Sequence, residues 1–228
     1  MGSNKNKVTA VIPAYNEEET IRDVIKSVRP RVDKILVILS KNSSDGTERI
    51  LKSMKVDYVV DSGRGKGDAL RQGITQVETG ITLFIDADGS HETNDIPKLL
   101  NPIKNGSADM VVGSRATGGS DELHGTLYMF LKHIATGLIM LIINYRWGVR
   151  LTECENGFRA IRTNVLRSLG LKANHFDIEQ EMVMKVLKKK IRIKEVSSHE
   201  YERKGGQSKL FILRSGWRFF WRLLIDIW

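Results

Sequence analysis

The sequence predicts an α/β fold in which a mostly parallel sheet is flanked by helices and an amphipathic helix follows at the C-terminus. Three observations carry this expectation. Short apolar, β-branched runs alternate with stretches of helical periodicity across residues 7–115, the pattern of right-handed βαβ units. Polar, turn-forming motifs follow the strand runs directly, as they do where a parallel sheet opens its carboxyl rim to a ligand. Residues 120–228 are mostly helical in pattern, with one strand near 191–196.

Taken in order, residues 8–12 read as a strand and run into PAYNEEE. Residues 17–27 place Ile21, Val24 and Ile25 at helical spacing, continued by Val28. A strand over 34–39 leads through SSDGT, a turn and helix cap, to a helix over 47–54. A short strand at 58–60 precedes the glycine-rich GRGKG and a helix over 68–76. Residues 81–85 are a buried strand, and 110–112 form another that ends in GSR. PAYNE, SKNSSDGT, GRGKG, DADGS and GSR therefore share one rim.

The 228 residues fit one α/β domain, or a domain with a small appendage. Lys and Arg number 36 against 27 Asp and Glu, a net charge of +9 that favours an anionic partner such as a nucleotide, a lipid phosphate or an anionic membrane. No nucleic-acid motif accompanies the charge, so no nucleic-acid partner is expected. A single cysteine, Cys154, leaves no internal disulfide and no thiolate metal cage, which points to a reducing compartment. No secretory leader is visible. The most apolar stretch, 134–143, is about half the ~20 residues a membrane span requires.

ITLFIDADGS holds the most chemistry. Asp86 and Asp88 emerge together at a strand end, where a pair of carboxylates can share a divalent cation. Hard oxygen ligands suit Mg²⁺ or Mn²⁺, with water and substrate phosphates completing the shell. An Asx turn closing the strand is the alternative. In GRGKG the glycines permit close backbone approach, and Lys66 and Arg71 can meet phosphates at the rim.

PAYNEEE, SSDGT, GRGKGDALRQG, DADGS, GSR, ENGFRA, FDIEQE and RKGGQSK occur together and in this order. On these motifs the chain resembles the inverting family 2 glycosyltransferases of the GT-A fold over residues 7–210, most of all dolichyl-phosphate mannose synthases and related polyprenyl-phosphate sugar transferases. The resemblance implies a nucleotide-sugar donor, GDP-mannose or a UDP-sugar, and a polyprenyl or dolichyl phosphate acceptor. It implies that Pro13, Tyr15 and Glu17 hold base and ribose, and that Asp86 and Asp88 bind the metal bridging the donor diphosphate. Arg115, Arg203, Ser208 and Lys209 are implied to gather around the donor and acceptor phosphates, with Asp88, Arg115 and Arg203 in the catalytic set. Lys132 and Thr136 stand at the spacing of an Arg and Ser that touch the acceptor phosphate in the family. Three departures from the pattern involve four positions. Ser40 and Lys41 replace an acidic pair that commonly reads the base, Ser90 replaces a Gln that can ligate the metal, and Glu153 replaces an Asp.

A lipid phosphate is ionised at neutral pH and needs no general base, which agrees with a basic rim and with five histidines that form no triad or metal spacing. In FDIEQE, Glu179 and Glu181 would point about 200° apart on a helix, so only one can face a site. Two rival expectations stay open: a GT-A transferase acting on a small soluble phosphorylated acceptor, and a non-catalytic basic module. The domain expectation is a GT-A unit over 7–208 and a helix over 209–228. In that helix Leu210, Leu213, Trp217, Trp221, Leu224 and Trp228 form one stripe, widened by Phe220, Leu223 and Ile227, with Arg214, Arg218 and Arg222 opposite. Tryptophan with arginine fits a headgroup boundary, giving a peripheral protein on the cytoplasmic face of a membrane with no spanning helix. Packing on the protein's own core is the alternative.

Overall fold

Seven strands build one sheet in the order β3-β2-β1-β4-β6-β5-β7. The structure, a computed structural model, describes residues 4–121, 127–203 and 212–228. The strands are β1 (Val8–Ala14), β2 (Lys34–Leu39), β3 (Asp57–Val60), β4 (Ile81–Phe84), β5 (Met110–Ser114), β6 (Arg159–Arg162) and β7 (Ile193–Ser197). β1, β2, β3 and β4 pair in parallel, as do β5 and β7, while β6 runs antiparallel between β4 and β5.

Alternation along β1 divides the core into two layers. Val8, Ala10, Ile12 and Ala14 face one side, joined by α1 (Ile21–Val28), α2 (Thr47–Ser53) and α4 (Ile96–Lys104). Val11 faces the other, with α3 (Lys66–Gln76), α6 (Leu127–Trp147), α7 (Thr163–Ser168), α8 (Ile178–Lys188) and α9 (Ile212–Asp226). A single turn, α5 (Arg115–Gly118), follows β5. Helices on both faces of a largely parallel sheet explain why the strands read as continuous apolar runs.

Two elements lie outside the sequence expectation, α4 and β6. The C-terminal helix forms, but its azimuth differs from the simplest reading. Phe219 and Leu223 are buried, and Gln180 of α8 donates to the Phe219 carbonyl at 3.2 Å. Arg222, expected on the basic arc opposite the apolar stripe, instead pairs with Asp177 at 2.9 Å and Asp226 at 3.3 Å. Trp217, Trp221, Leu224 and Trp228 remain exposed. Among the described residues no helix is long and apolar enough to cross a membrane.

Candidate active site

The carboxyl ends of β1 to β4 open into a cleft of about 320 Å³. Each strand contributes the residues at or just beyond its end: Pro13, Tyr15 and Glu17 from β1, Ser40 and Asn42 from β2, Asp61 and Gly63 from β3, and Asp86 with Asp88 from β4. Lys66 at the start of α3, Phe176 and Arg203 complete the wall. Pro13, Tyr15, Glu17, Ser40, Lys66, Asp86, Asp88 and Arg203, expected site residues from five separate segments, thus meet in one cleft.

Charge is balanced locally at its floor. The Lys66 ammonium lies 2.7 Å from Asp86 Oδ1 and 2.9 Å from Glu179 Oε1. Burial opposes charge on Lys66, but Asp86 and Glu179 together hold its pKa above the ordinary lysine value. Burial likewise opposes ionisation of Asp86, and the Lys66 and His91 side chains outweigh it, holding that carboxyl well below the usual range. His91 Nε2 is 3.4 Å from Asp86 Oδ2. A Cβ on Gly157 would come within 2.5 Å of that same oxygen, so glycine is what lets the chain before β6 lie against the carboxylate.

Asp88 is held differently. Its Oδ1 accepts from the Ser90 backbone N–H at 3.1 Å and the Ser90 hydroxyl at 2.7 Å, and its Oδ2 lies 3.1 Å from Arg203 Nη2. The Asx turn and the carboxylate pair are therefore the same structure rather than alternatives. Ser90, expected among the metal ligands, directs its hydroxyl proton to Asp88. Arg203 arrives because the Tyr201 N–H donates to the Ser90 carbonyl at 2.8 Å, tying the segment after β7 to the DADGS loop.

The other expected residues divide. Arg115 forks onto Glu153 at 2.7 and 3.1 Å and reaches Glu200 at 3.4 Å, so its charge is compensated within the rim beyond β5 and it does not line the cleft. Glu153 is that fork's partner and also accepts the Glu155 and Asn156 N–H groups. Arg71 is a correction. Five residues beyond Lys66, it projects about 140° away on α3, where it binds the carbonyls of Lys172 and Ala173 and the side chains of Asp68 and Asn174. Its role is to fasten α3 to that segment. Glu179 meets Lys66, while Glu181 turns to Lys185 and the backbone N–H groups of Lys172 and Ala173. The Thr136 hydroxyl sits 3.4 Å from the Glu155 carboxylate. The Lys132 side chain, Ser208 and Lys209 lie outside the described residues.

Three residues escaped the sequence reading. Asp61 lines the cleft at the end of β3, and its signal was the same one that marked Asp86: an apolar strand, then Asp and turn formers. Glu200 joins Arg115 to the Ser120 hydroxyl, at 2.9 Å. Arg159, fully buried, donates to the carbonyls of Cys154, Asn156 and Glu179, fixing the loop before β6 to α8. No local pattern marks a buried arginine of this kind.

Among the described residues no cluster of three or more His, Cys, Asp or Glu side chains forms a ready-made metal cage. Mg²⁺ does not require one, since it binds through one or two carboxylates plus waters and substrate phosphates. Asp86 and Asp88, each already facing a cation, fit that donor set.

Residues 9–170 match the profile of "Glycosyl transferase family 2". The chain is 29% identical to glycosyltransferase AglJ of Haloferax volcanii over 218 residues, covering 95% of this chain and 70% of that protein. It is 26% identical to a UDP-N-acetylglucosamine–dolichyl-phosphate N-acetylglucosaminyltransferase of Methanococcus voltae, covering 94% of each. A crystal structure of glucosyl-3-phosphoglycerate synthase from Mycobacterium tuberculosis, with Mn²⁺, UDP-glucose and phosphoglyceric acid, superposes with a TM-score of 0.75. That match covers 97% of this chain and 80% of the other at 23% identity, a likeness of fold.

Proposed function

The chain belongs to glycosyl transferase family 2, and from that premise we propose that it moves a hexose from a nucleoside-diphosphate sugar to a polyprenyl or dolichyl phosphate with inversion. The observation that carries this reading is the meeting of Asp86, Asp88, Lys66 and Arg203 at one end of a cleft whose other walls are Pro13, Tyr15, Glu17 and Ser40. The first group suits a diphosphate and the second a nucleoside.

Asp86 and Asp88 would hold Mg²⁺ or Mn²⁺, which supplies Lewis-acid compensation of charge on the leaving diphosphate. Lys66 and Arg203 would add charge-assisted hydrogen bonds to the diphosphate. Ser90 fixes the Asp88 rotamer, and the Arg203 position is set by the tie between Tyr201 and Ser90. In this reading the acceptor phosphate would approach from the rim beyond β5, outside the cleft wall, and draw on Arg115, whose guanidinium Glu153 and Glu200 orient. The acceptor oxygen is already an anion, so these residues orient two anions and move no proton.

A lipid acceptor is supported by a surface beside the cleft's own layer of helices. Trp217, Trp221, Leu224 and Trp228 of α9 are exposed, as are Leu138, Leu141 and Tyr145 of α6. Arg146 packs against Trp228 at 5.8 Å, joining the two helices' outer faces. Tryptophan, leucine and arginine together suit a peripheral seat at a headgroup boundary, on the cytoplasmic side in this reading. The test incubates the full chain with GDP-mannose or UDP-sugars, Mn²⁺ and a short polyprenyl phosphate. Formation of a glycosylated prenyl phosphate, abolished by EDTA, is expected. Transfer to phosphoglyceric acid with none to the prenyl phosphate would establish the soluble-acceptor reading instead.

A further inference from the structure

Resting on the reading of this cleft as a donor site, we infer that Asp61 reads the base of the nucleotide and that its surroundings select uracil. Ser40 and Lys41 stand where an acidic pair would be expected, yet the cleft is not without a carboxylate at that end. Asp61 follows β3 directly, and its N–H donates to the Leu39 carbonyl at 2.9 Å, so it lies beside the end of β2. The residue is 7% exposed and lines the cleft with Ser40, Asn42 and Gly63.

The two carboxylate oxygens of Asp61 differ. Oδ1 accepts the Lys41 N–H at 2.8 Å and the Gly63 N–H at 2.7 Å, which fills its lone pairs. Oδ2 makes no hydrogen bond among the described residues. Asp61 thus presents at the cleft wall one acceptor that no described protein group meets, and a base that displaces water there has to supply a donor in its place.

Its position fits a base. The strand order β3-β2-β1-β4 sets Asp61 three inter-strand steps from Asp86, roughly 14 Å along the rim. A nucleoside diphosphate with its phosphates at Asp86 and Lys66 extends along this line.

Ring chemistry then discriminates. Uracil N3–H and guanine N1–H are donors, whereas cytosine N3 and adenine N1 are acceptors that would oppose Oδ2 lone pair to lone pair. Guanine offers N1–H and its amino group side by side, a pair best met by both oxygens of one carboxylate. With Oδ1 engaged by the backbone, only a single donor is matched, and uracil N3–H is that donor. A site built to hydrogen-bond one group rejects analogues lacking it far more strongly than an apolar pocket does.

Calorimetric titration of the full chain with Mn²⁺ and UDP, GDP, CDP or ADP tests this. UDP is expected to bind at least tenfold tighter than the other three, and N3-methyl-UDP at least tenfold weaker than 5-methyl-UDP. In Asp61→Asn the amide oxygen can keep the Lys41 and Gly63 bonds while the NH₂ group faces the cleft, so the preference for UDP over CDP should shrink or reverse. Tighter binding of GDP than UDP overturns the uracil assignment. Equal binding of N3-methyl-UDP and 5-methyl-UDP overturns the base contact, a result read on the wild-type chain even if Asp61→Asn fails to fold. Binding of all four nucleotides without discrimination removes this inference and leaves the donor site standing. Binding of none removes the donor site as well.

Discussion

Arg203 and Asp88 lie 3.1 Å apart, joining the segment after β7 to the loop after β4. The contact couples one of the two candidate metal carboxylates to a partly exposed guanidinium at the cleft wall, the kind of group that can also meet a diphosphate. Donor binding, metal binding and the position of this segment are therefore linked through one pair.

Asp88→Asn keeps the acceptor for Ser90 but removes half the charge that would hold a cation. Transfer should fall by at least about 100-fold, a loss of about 2.7 kcal/mol of transition-state stabilisation. The melting temperature should stay within a few degrees of wild type. Turnover near wild type in EDTA-treated buffer would remove the metal from the mechanism.

Arg203→Ala removes a charge-assisted contact in a partly dry cleft, worth roughly 1.5–3 kcal/mol. Initial rates should drop at least about tenfold, against little change in Lys104→Ala, a control on the exposed side of α4. Similar rates for the two variants would place Arg203 outside the chemistry.

Acid should unfold the protein through its buried pairs. Arg115 and the Glu155 and Asn156 N–H groups overcome burial and hold the Glu153 pKa below its ordinary 4.5, and Lys66 with His91 does the same for Asp86 relative to 3.8. Between the unfolded and folded values the unfolded chain binds protons that the folded chain does not, so acid favours unfolding. This stability is present above about pH 4.5 and declines as pH falls toward the depressed folded values. Glu153→Gln should cost about 3 kcal/mol at neutral pH, since Glu200 still faces Arg115, and should flatten the acid slope in thermal melts. An unchanged slope would show that the pair contributes nothing to acid lability.

The outer face of α9 is tested by substitution. Trp217, Trp221 and Trp228 are exposed, so the triple alanine variant should keep the wild-type melting temperature and lose co-sedimentation with anionic liposomes. Phe219→Ala, on the face toward α8, should instead cost about 3–5 kcal/mol. Liposome binding retained by the triple variant would mean that this face meets something other than lipid.

The sheet's first half was legible because its signals are local. β1 through β4 are apolar runs bounded by turn formers, and the rim position of each motif follows from parallel topology alone. β6 was hidden because its four residues begin and end in arginine, and burial of Arg159 is paid for by carbonyls that no periodicity reports. Lys66 and Arg71 look alike in sequence, and only the helix azimuth separates a cleft residue from a fastener. In α9 the apolar residues were evident, but which of them meet the core depends on α8, so Phe219 and Leu223 could not be told from the tryptophan stripe. Asp61 went unread because a lone carboxylate acquires meaning only from the neighbours that fill one of its oxygens.

The antiparallel insertion of β6 also imposes an order on synthesis. A chain emerging from its N-terminus can pair β1 with β2 and β4 once Phe84 is free, since those partners all precede it. β5 has no such option, because its neighbours in the sheet are β6 and β7. Its buried run Met110–Ser114 must wait, unpaired, until Arg159–Arg162 appears, a stretch in which a nascent edge is open to misassociation. The half carrying Asp86 and Asp88 can thus take shape first, and the segment bringing Arg203 to it follows only after β6 and β7 have joined the sheet.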